Sequence, residues 1–447
     1  MKKCNYLKMK KFLSLSFAAS LMLSLSNSLS ASDGQFSVLS YNIGALPFPA
    51  WLGSSAGNPD GRVQYIGERI NTFDIVGVQE QFAFKDKFRD GTRFPFFSIN
   101  DHLYGGGSGV DLLSKYPISP SIRVEYDDHP FYVAKGFQKN TVTIYPGVYV
   151  DVYNTHTGDD MDTIDLQLIQ LGNYIQANTP SNRAVIVVGD FNAKPSHWGD
   201  IKTPVMIPNN LKDAWTEFGV NESMWDSPVD RILYRSGADV EISLVQYETI
   251  DNTPLANDWY PNHFTKDGDQ LSDHPAVLSI FNFTVADNKR LQSGDTQYLS
   301  EMKVNYGYNN GFDHGPIGIN QAIGGGDEYD GDPLKLNSKT YSKGLGVHAF
   351  SRIIVNTNKK YSRFISDIGV DEESGSNGKV RFKVYINGSA TVPGTLIYDS
   401  GAMDPWSNTQ TIDVDVSNAD TVKLIADTEG DEHWDHADWA NARFILK

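Results

Sequence analysis

Short apolar runs that end in polar side chains alternate with helix-like patterns through the first 285 residues. Seven of these runs predict β-strands, at residues 36–42, 75–79, 110–113, 148–154, 184–188, 231–234 and 276–281. Residues 60–72 and 163–177 have the apolar spacing of helices, and one face of the second would carry Ile164, Leu168, Leu171 and Ile175. Strands mixed with helices in this order predict an α/β sandwich.

The pattern changes near residue 285. Residues 286–296 are polar and lack apolar periodicity, which predicts a linker. Beyond it, short alternating segments such as 380–386 and 421–426 are separated by Gly, Asn and Asp turns, a pattern typical of an all-β sandwich. We therefore expect one domain over residues 33–285 and a second over residues 297–447.

The N-terminus differs from both domains. Residues 1–30 open with lysines, continue with a Leu/Ser/Ala stretch and end in small residues, so they predict a secretory signal peptide. Serines interrupt the apolar stretch and no later segment is long enough, so we expect no transmembrane segment and a secreted or periplasmic protein. Cys4, the only cysteine, lies in this leader, so the mature protein would contain no disulfide.

The charge balance limits the partners. Removal of a leader with five lysines and no acidic residue lowers the formal net charge from -17 to -22. This acidity argues against nucleic acid, which is bound mainly through basic contacts to phosphate. It leaves room for a small or membrane-embedded phosphate ester and suits a protein that recruits divalent cations.

The candidate chemistry lies at the ends of the predicted strands, where polar residues follow or precede the apolar runs. These residues are Asn42, Glu80, His156, Asp190, Asn192, Asp230, Asp273 and His274. Because six strand ends are polar in the same way, we expect one shared rim. Carboxylate and amide oxygens are suitable ligands for Mg²⁺, and histidine can act as a base near neutral pH. Such a set could hydrolyse a phosphate ester.

Each motif taken alone also has a simpler interpretation. An isolated Asp-x-Asn after a strand is usually a turn, and an isolated Asp-His pair usually lies in a solvated loop. Arg231 could hold Asp230 in a structural ion pair. The glycine-rich residues 105–109 favour a flexible turn over a phosphate cradle, because no Gly-Lys-Ser/Thr follows them.

The complete series resembles the endonuclease/exonuclease/phosphatase superfamily. The resemblance rests on six features in order, namely Asn42, Gln79-Glu80, Asn154-Thr155-His156, Gly189-Asp190-Phe191-Asn192, Asp230 and Ser272-Asp273-His274. It implies a four-layer α/β sandwich over about residues 33–283. It also implies a phosphoesterase that depends on Mg²⁺, with Mn²⁺ or Ca²⁺ as alternatives.

The resemblance also assigns roles to these residues. Glu80 would be the principal metal ligand, with Asn42 beside it and Asp273 close to the same ion. His274 would activate the water for in-line attack, and Asp230 would orient its imidazole. Asp190 and Asn192 would position the nucleophile and phosphate or hold a second metal, and His156 would donate to a phosphoryl oxygen.

The substrate is less constrained. Within the superfamily, the segments SYNIGALP, AKGFQ, NTHT and LSDHPAV look most similar to secreted neutral sphingomyelinases, which release phosphocholine from sphingomyelin. Lys135 would then meet the lipid phosphate, or it is a surface lysine at a strand start. Trp259, Tyr260 and Phe264 could form an interfacial lip or a small loop core. A secreted nuclease and a sugar or inositol phosphate phosphatase remain the alternatives.

The second domain has a separate resemblance. The segments KGLGVHAFSRIIV, DIGVDEES, GKVRFKVYING and DHADWANARF resemble the NPCBM family of carbohydrate-binding modules. The resemblance implies a galactose-binding-like β-sandwich and a cell-surface or matrix glycan as partner. His348, Trp434 and Trp439 would contact the sugar, or His348 and Asp438 close the sandwich.

Two features of this domain leave further alternatives open. An acidic group could hold a structural Ca²⁺ or form a solvated face, and it consists of Asp431, Glu432, Asp435 and Asp438. The whole chain could also be a glycan-binding surface protein in which the esterase domain is degenerate.

Overall fold

The computed structural model describes residues 33–54, 56–98, 107–128, 134–193, 200–219, 228–250, 270–309, 315–324, 331–430 and 432–447. Five predictions fall wholly or partly outside these residues: the leader 1–30, the first two residues of the glycine run 105–109, Trp259 with Tyr260, Phe264, and Asp431. Within the described part of the chain, no helix combines the length and the apolar character needed to cross a membrane.

The first domain contains two six-stranded sheets. The strands are β1 Gly34–Ala45, β2 Ile75–Gln81, β3 Phe96–Phe97, β4 Asp111–Ser114, β5 Ile122–Glu125, β6 Gly136–Tyr145, β7 Val148–His156, β8 Ala184–Asp190, β9 Lys212–Asp213, β10 Asp230–Arg235, β11 Val240–Ile250 and β12 Ala276–Val285. The helices are α1 Arg62–Ile70, α2 Lys85–Gly91, α3 Met161–Asn178, α4 Ile207–Asn209 and α5 Ala214–Glu217. The strand orders are β11-β12-β1-β2-β4-β3 and β5-β6-β7-β8-β10-β9.

The alternation of side chains along the central strands explains the layers. In β8, Ile186 and Val188 point into the core between the two sheets, and Val185 and Val187 point the other way, toward α3. The α3 residues Ile164, Leu168, Leu171 and Ile175 are all buried against that outer face, as their spacing predicts.

Sheet one is covered in the same way. Leu39 and Val76 pack outward against Val63 and Ile66 of α1. The order of layers is therefore helix, sheet, sheet, helix, which confirms the predicted four-layer α/β sandwich.

The C-terminal part is a β-sandwich, as predicted. Its strands are β13 Thr296–Tyr298, β14 Tyr306–Tyr308, β15 Gly318–Ile319, β16 Lys335–Leu336, β17 Lys339–Thr340, β18 Gly344–His348, β19 Ser351–Asn356, β20 Tyr361–Val370, β21 Val380–Ile386, β22 Thr395–Met403, β23 Gln410–Asp415, β24 Thr421–Thr428 and β25 His436–Leu446. One sheet has the order β15-β18-β25-β20-β23 with β13 on β25, and the other has the order β14-β19-β24-β21-β22. Their inner faces share a core that includes Phe364, Phe382 and Trp439.

The two halves pack directly on each other. The backbone N–H of Val304 donates to the carbonyl of Lys115 at 2.7 Å, and that of Ile317 donates to the carbonyl of Pro95 at 3.1 Å. Lys303 forms an ion pair with Asp74 at 2.7 Å. Buried apolar residues of the two halves belong to one continuous cluster. The contact is therefore an extension of the hydrophobic core, with backbone hydrogen bonds across it.

The segment between the halves is also held in place. Arg290 pairs with Asp33 at 3.2 Å, and the backbone N–H of Leu291 donates to the hydroxyl of Tyr145 at 2.9 Å. Gly294 N–H donates to the carbonyl of Leu446 at 3.0 Å. A polar sequence without periodicity thus follows the surface through specific hydrogen bonds.

Candidate active site

The alternation that builds the core also directs four polar side chains into one layer. In β1, β7 and β8 the apolar residues that point between the sheets are followed, two residues along, by polar ones, and in the antiparallel strand β10 they are preceded by one. At the strand ends these are Asn42, His156, Asp190 and Asp230, each at most 1 % exposed. The end of the inter-sheet layer is therefore lined by hydrogen-bonding groups instead of apolar ones.

Strand pairing brings these ends together. His156 and Asp190 are partners in the parallel pair β7–β8, and Asp190 is opposite Asp230 in the antiparallel pair β8–β10. Asn42 comes from the other sheet, and its Nδ2 donates to Oδ2 of Asp190 at 3.1 Å. One hydrogen bond thus joins the two sheets across the site.

Asp190 is at the centre of this network. Its Oδ1 accepts a hydrogen bond from the backbone N–H of Asn192 at 2.9 Å. Its Oδ2 lies 3.6 Å from Nε2 of His156 and 3.8 Å from Nε2 of His274. Phe191, between the two polar residues, is buried in the core beneath α3. The strand end therefore holds the Asp190 carboxylate rigidly between both imidazoles.

Asp230 and His274 form a hydrogen-bonded pair. Nδ1 of His274 lies 2.8 Å from Oδ2 of Asp230, and the imidazole is partly open to solvent. Burial lowers the pKa of His274, but the hydrogen bond and the charge of Asp230, with those of Asp190 and Asp273, raise it overall. The pair can orient the ring and stabilise its charged form.

Arg231 has another role. Its Nη1 donates to Oδ2 of Asp213 at 2.7 Å, and its guanidinium lies over the ring of Trp215. Adjacent side chains on a strand point to opposite faces, so this ion pair is on the other side of β10 from Asp230. The structural ion pair of Arg231 is therefore the one with Asp213.

His156 is in contact with Lys135. The Nζ of Lys135 donates to Nε2 of the ring at 2.6 Å. Burial, together with the charges of Lys135 and His274, holds the pKa of His156 well below its usual value. Burial also lowers the pKa of Lys135, against the opposing effect of Glu80 and Asp190. Burial therefore favours the neutral form of the His156 imidazole, whose Nε2 accepts the hydrogen bond from Lys135.

Glu80 departs from the alternation of its strand. Val76 and Val78 face α1, so a regular strand would point Glu80 the same way. Its φ of 58° is in the left-handed region, and its Oε1 lies 3.8 Å from Nε2 of His156. Asn192, with a φ of 47°, has the same rare conformation. Non-glycine residues in this region are uncommon and concentrate at functional sites.

Asp273 reaches the rim from the loop before β12. Its Oδ2 accepts a hydrogen bond from Oγ of Ser54 at 2.8 Å. The hydroxyl of the neighbouring Ser272 donates to the backbone carbonyl of Asn42 at 2.6 Å. Ser54 was not among the predicted site residues, and serine in a Gly/Ser-rich loop gives no distinguishing signal.

Arg62 was also missed by the sequence analysis. Its fully buried guanidinium donates to the backbone carbonyls of Ile43, Gly44 and Leu271 at 2.6–2.7 Å. It thereby ties the segment after Asn42 to the loop that carries Asp273. An arginine in the first turn of an amphipathic helix looks like a solvated residue, so the sequence contains no sign of this role.

The donor set fits a hard divalent cation. Burial raises the pKa of Glu80, and the charges of Asp273 and Asp190 raise it further, against the effect of Lys135. Among the described residues, ligand atoms of Asp190, Asp230 and His274 also lie within 4.8 Å of one another. Several acids at one rim repel each other, and a bound cation with a preference for oxygen would relieve this.

The aromatic residues of the second domain separate into two groups. Trp439 is fully buried, with its ring 5.1 Å from Phe382 in a T-shaped contact, so it cannot stack on a sugar. The expectation of a sugar contact at Trp439 was wrong, because β25 is covered on both faces. Trp434 is 53 % exposed and stacks on His436 with ring centroids 6.1 Å apart. His348 is buried, in keeping with the alternative that it closes the sandwich.

Comparison with known proteins gives the family of the first domain. The profile of the Endonuclease/Exonuclease/phosphatase family matches residues 39–274, more than half of the chain. The chain belongs to the endonuclease/exonuclease/phosphatase family. The NPCBM/NEW2 domain profile matches residues 295–445. Membership of the first family supports a hydrolase that acts on phosphate esters.

Individual proteins are similar to parts of the chain. A sphingomyelinase of Mycobacterium tuberculosis is 33 % identical over 283 residues, which are 57 % of this chain and 54 % of that protein. The chain therefore spans about half the length of this curated relative. Sphingomyelinase C from Streptomyces griseocarneus is 20 % identical, with a TM-score of 0.39, and the match covers 55 % of this chain and 99 % of that one. CBM51 from Clostridium perfringens GH95, solved with methyl-galactose, is 26 % identical, with a TM-score of 0.29, over 34 % of this chain and all of that one.

Proposed function

We propose that this protein is a secreted, Mg²⁺-dependent phosphodiesterase that releases phosphocholine from sphingomyelin. Family membership and the 33 % identity to a sphingomyelinase support this substrate class. The observation that carries the proposal is the 2.8 Å contact between Asp230 and His274, with Nε2 of the histidine turned toward Asp190 at the rim. We also propose a leader at 1–30, a catalytic domain at 33–285, a linker at 286–296 and a binding module at 297–447.

In this proposal His274 is the general base. Asp230 accepts the Nδ1–H hydrogen bond and so leaves Nε2 available to take a proton from water. Asp190 and Asn192 orient that water and the phosphate for in-line attack. When bound, the cation would supply positive charge to the phosphoryl oxygens and the leaving group. Glu80, Asn42 and Asp273 would hold it.

Lys135 and His156 are on the opposite side of Asp190 from the Asp230–His274 pair. We propose that the Lys135 ammonium contacts a phosphoryl oxygen and that the neutral His156 provides a second hydrogen bond. The other groups at the rim are mainly acidic and would repel an anionic phosphoryl group. The positive charge of Lys135 would therefore stabilise the bound phosphate. The 2.6 Å contact between the two side chains supports a joint role.

A substrate panel tests the chemistry. Purified protein with Mg²⁺ should release phosphocholine from sphingomyelin vesicles, and EDTA should stop the reaction. His274→Ala should abolish turnover and leave the circular dichroism spectrum unchanged. Nicking of plasmid DNA without phosphocholine release would favour a nuclease. Release of phosphate from sugar or inositol phosphates alone would favour a phosphatase.

The same panel examines the glycan-binding alternative. If the esterase domain is degenerate, a generic phosphodiester such as bis-p-nitrophenyl phosphate should show no EDTA-sensitive hydrolysis. The series from Asn42 to His274 is complete and converges at one rim, which favours an active enzyme. The acids at the rim would themselves be costly to retain without a cation.

A second activity, glycan binding, is favoured by the exposed Trp434. Its indole lies on His436, whose Nδ1 is 2.6 Å from Oε1 of Glu373. An exposed aromatic face beside polar side chains suits the C–H face of a sugar. We propose that this surface binds a cell-surface or matrix glycan and so brings the esterase to its substrate. A glycan array probed with the full chain and with Trp434→Ala tests it, and silence across host and bacterial glycans would favour a structural role.

A further inference from the structure

A loop next to the candidate site exposes large apolar side chains to solvent. The loop runs from Leu46 to Gly53, between β1 and α1, and ends in the short 3-10 helix Ala50–Gly53, in which no residue is buried. Phe48 is 74 % exposed and Leu52 is 54 % exposed. The Phe48 ring lies beside that of Trp51, with centroids 6.1 Å apart. Phe48, Trp51 and Leu52 thus form a short apolar ridge on this loop. An apolar patch of this kind marks an interaction surface.

The ridge is attached to the site at both ends. The first residue of the loop, Leu46, follows the end of β1, which carries Asn42, and the carbonyl of Ala45 accepts hydrogen bonds from two backbone N–H groups that follow β2. At the other end, Oγ of Ser54 donates to Asp273 at 2.8 Å. Consecutive Cα atoms are about 3.8 Å apart, so Leu52 lies at most about 7.6 Å from Ser54. The ridge therefore stands on the rim of the candidate active site.

The lack of charged residues in the loop indicates the type of membrane surface that it can contact. Residues 46–58 contain no Asp, Glu, Lys or Arg, although 21 % of the chain is charged. The chain has a formal net charge of -17, so an anionic membrane would repel it. A bilayer of zwitterionic lipids has no such repulsion, and aromatic and leucine side chains partition readily into its interface.

We propose that Phe48, Trp51 and Leu52 insert into a zwitterionic phospholipid bilayer and hold the rim at the level of the lipid phosphates. This inference rests on the proposed function, because a lipid phosphodiester presents its scissile bond at the bilayer surface. A soluble phosphodiester reaches the same rim without the ridge. Docking and chemistry are therefore separable by the choice of substrate.

The binding experiment uses full-length protein that carries His274→Ala, so that the lipid is not consumed. Sedimentation with phosphatidylcholine vesicles and with phosphatidylcholine–sphingomyelin vesicles gives the bound fraction. We expect Phe48→Ala/Leu52→Ala to weaken binding to both by at least about tenfold, because two exposed apolar side chains are lost. Phe48→Trp should keep the binding. Ile207→Ala, which truncates a 66 % exposed side chain elsewhere on the domain, should have no effect.

The kinetic experiment uses the same loop substitutions with His274 intact. Turnover of sphingomyelin vesicles should fall in parallel with binding, and turnover of bis-p-nitrophenyl phosphate should be unchanged. Vesicle binding equal to wild type would overturn the proposal. Equal loss with both substrates would also overturn it, because the loop would then support the site itself. A loop-dependent dimer in solution would show that a second copy covers the ridge instead.

The outcomes keep docking and substrate apart. If phosphatidylcholine vesicles bind in a loop-dependent way but sphingomyelin is not hydrolysed, the docking surface stands and the proposed substrate fails. If sphingomyelin is hydrolysed and the loop variant binds normally, the proposed function stands and the docking surface fails.

Discussion

Substitution of Asp230 by asparagine tests the proposed catalytic pair directly. The change keeps the size of the side chain and removes the charge that faces Nδ1 of His274 at 2.8 Å. At that distance, with an effective dielectric constant of about 20, a carboxylate and an imidazolium attract each other by about 6 kcal/mol. The base becomes an imidazolium as it takes the proton, so this attraction is gained on the way to the transition state.

The magnitude of the effect follows from that figure. Each 1.36 kcal/mol is about tenfold in rate, so complete loss of the attraction corresponds to about 10⁴-fold. A neutral hydrogen bond from the asparagine, worth about 1 kcal/mol, returns about fivefold. We expect kcat to fall about 10³- to 10⁴-fold with little change in KM, since Asp230 acts through His274 and does not contact the substrate.

The assay is phosphocholine release at saturating Mg²⁺, with thermal unfolding measured on the same samples. Asp213→Asn is the matched control. It disrupts the buried ion pair with Arg231 on the other face of β10, so it should lower the melting temperature and leave kcat per folded molecule unchanged. If Asp230→Asn kept more than about a tenth of the wild-type kcat, the pair would contribute under about 1.4 kcal/mol and the reasoning would fail.

Three further predictions concern the metal and the second domain. Glu80→Gln should raise the Mg²⁺ concentration needed to reactivate EDTA-treated protein, measured by titration, because one anionic oxygen ligand is lost; an unchanged titration would remove Glu80 from the metal site. Trp439→Ala should lower the free energy of unfolding by about 4 kcal/mol. Trp434→Ala should leave that free energy unchanged and abolish glycan binding. The reverse result would contradict the assignment of Trp439 to the core and of Trp434 to the binding surface. Asp438 is fully buried next to Asp371. If it helps to bind a structural Ca²⁺, addition of Ca²⁺ should raise the melting temperature of chelator-treated protein, and Asp438→Asn should abolish the increase. A wild-type melting temperature that does not change with Ca²⁺ would exclude the ion.

The layered fold was predictable because the apolar pattern is strict in the strands that form its centre. Strand β6, of which the sequence analysis gave only a start beside Lys135, shows where that signal fails. Its residues Gln138 and Asn140 are fully buried, and Nε2 of the first donates to Oδ1 of the second at 3.0 Å. Buried polar side chains that bond to each other remove the apolar alternation on which the prediction depends. The length of such a strand cannot be read from the apolar pattern.

The prediction of Trp439 failed for the opposite reason. Strand β25 is central in its sheet, and Ala440, which points away from the main core, is covered by Leu334, Leu336 and Tyr341. A strand buried on both faces has no exposed side in its pattern, so an aromatic residue there carries no sign of its surroundings. The exposed Trp434 precedes this strand and has a φ of 63°, a turn conformation that sequence alone does not show.

The apolar pattern also predicts which residues form the site, but not which of them are in contact. Asn42, His156, Asp190 and Asp230 could be inferred together because each continues the inward-facing positions of a predicted strand. Their mutual contacts depend on register, since a slip of one residue between β8 and β10 would place Arg231 opposite Asp190 and turn Asp230 away. The slip is excluded because Ile186 and Val188 of β8 pack between the sheets with Ile232 of β10, while Val187 and Leu233 both pack on the α3 side. The apolar run before Asp190 is therefore part of the catalytic apparatus in the proposed function, because it fixes which carboxylate faces His274.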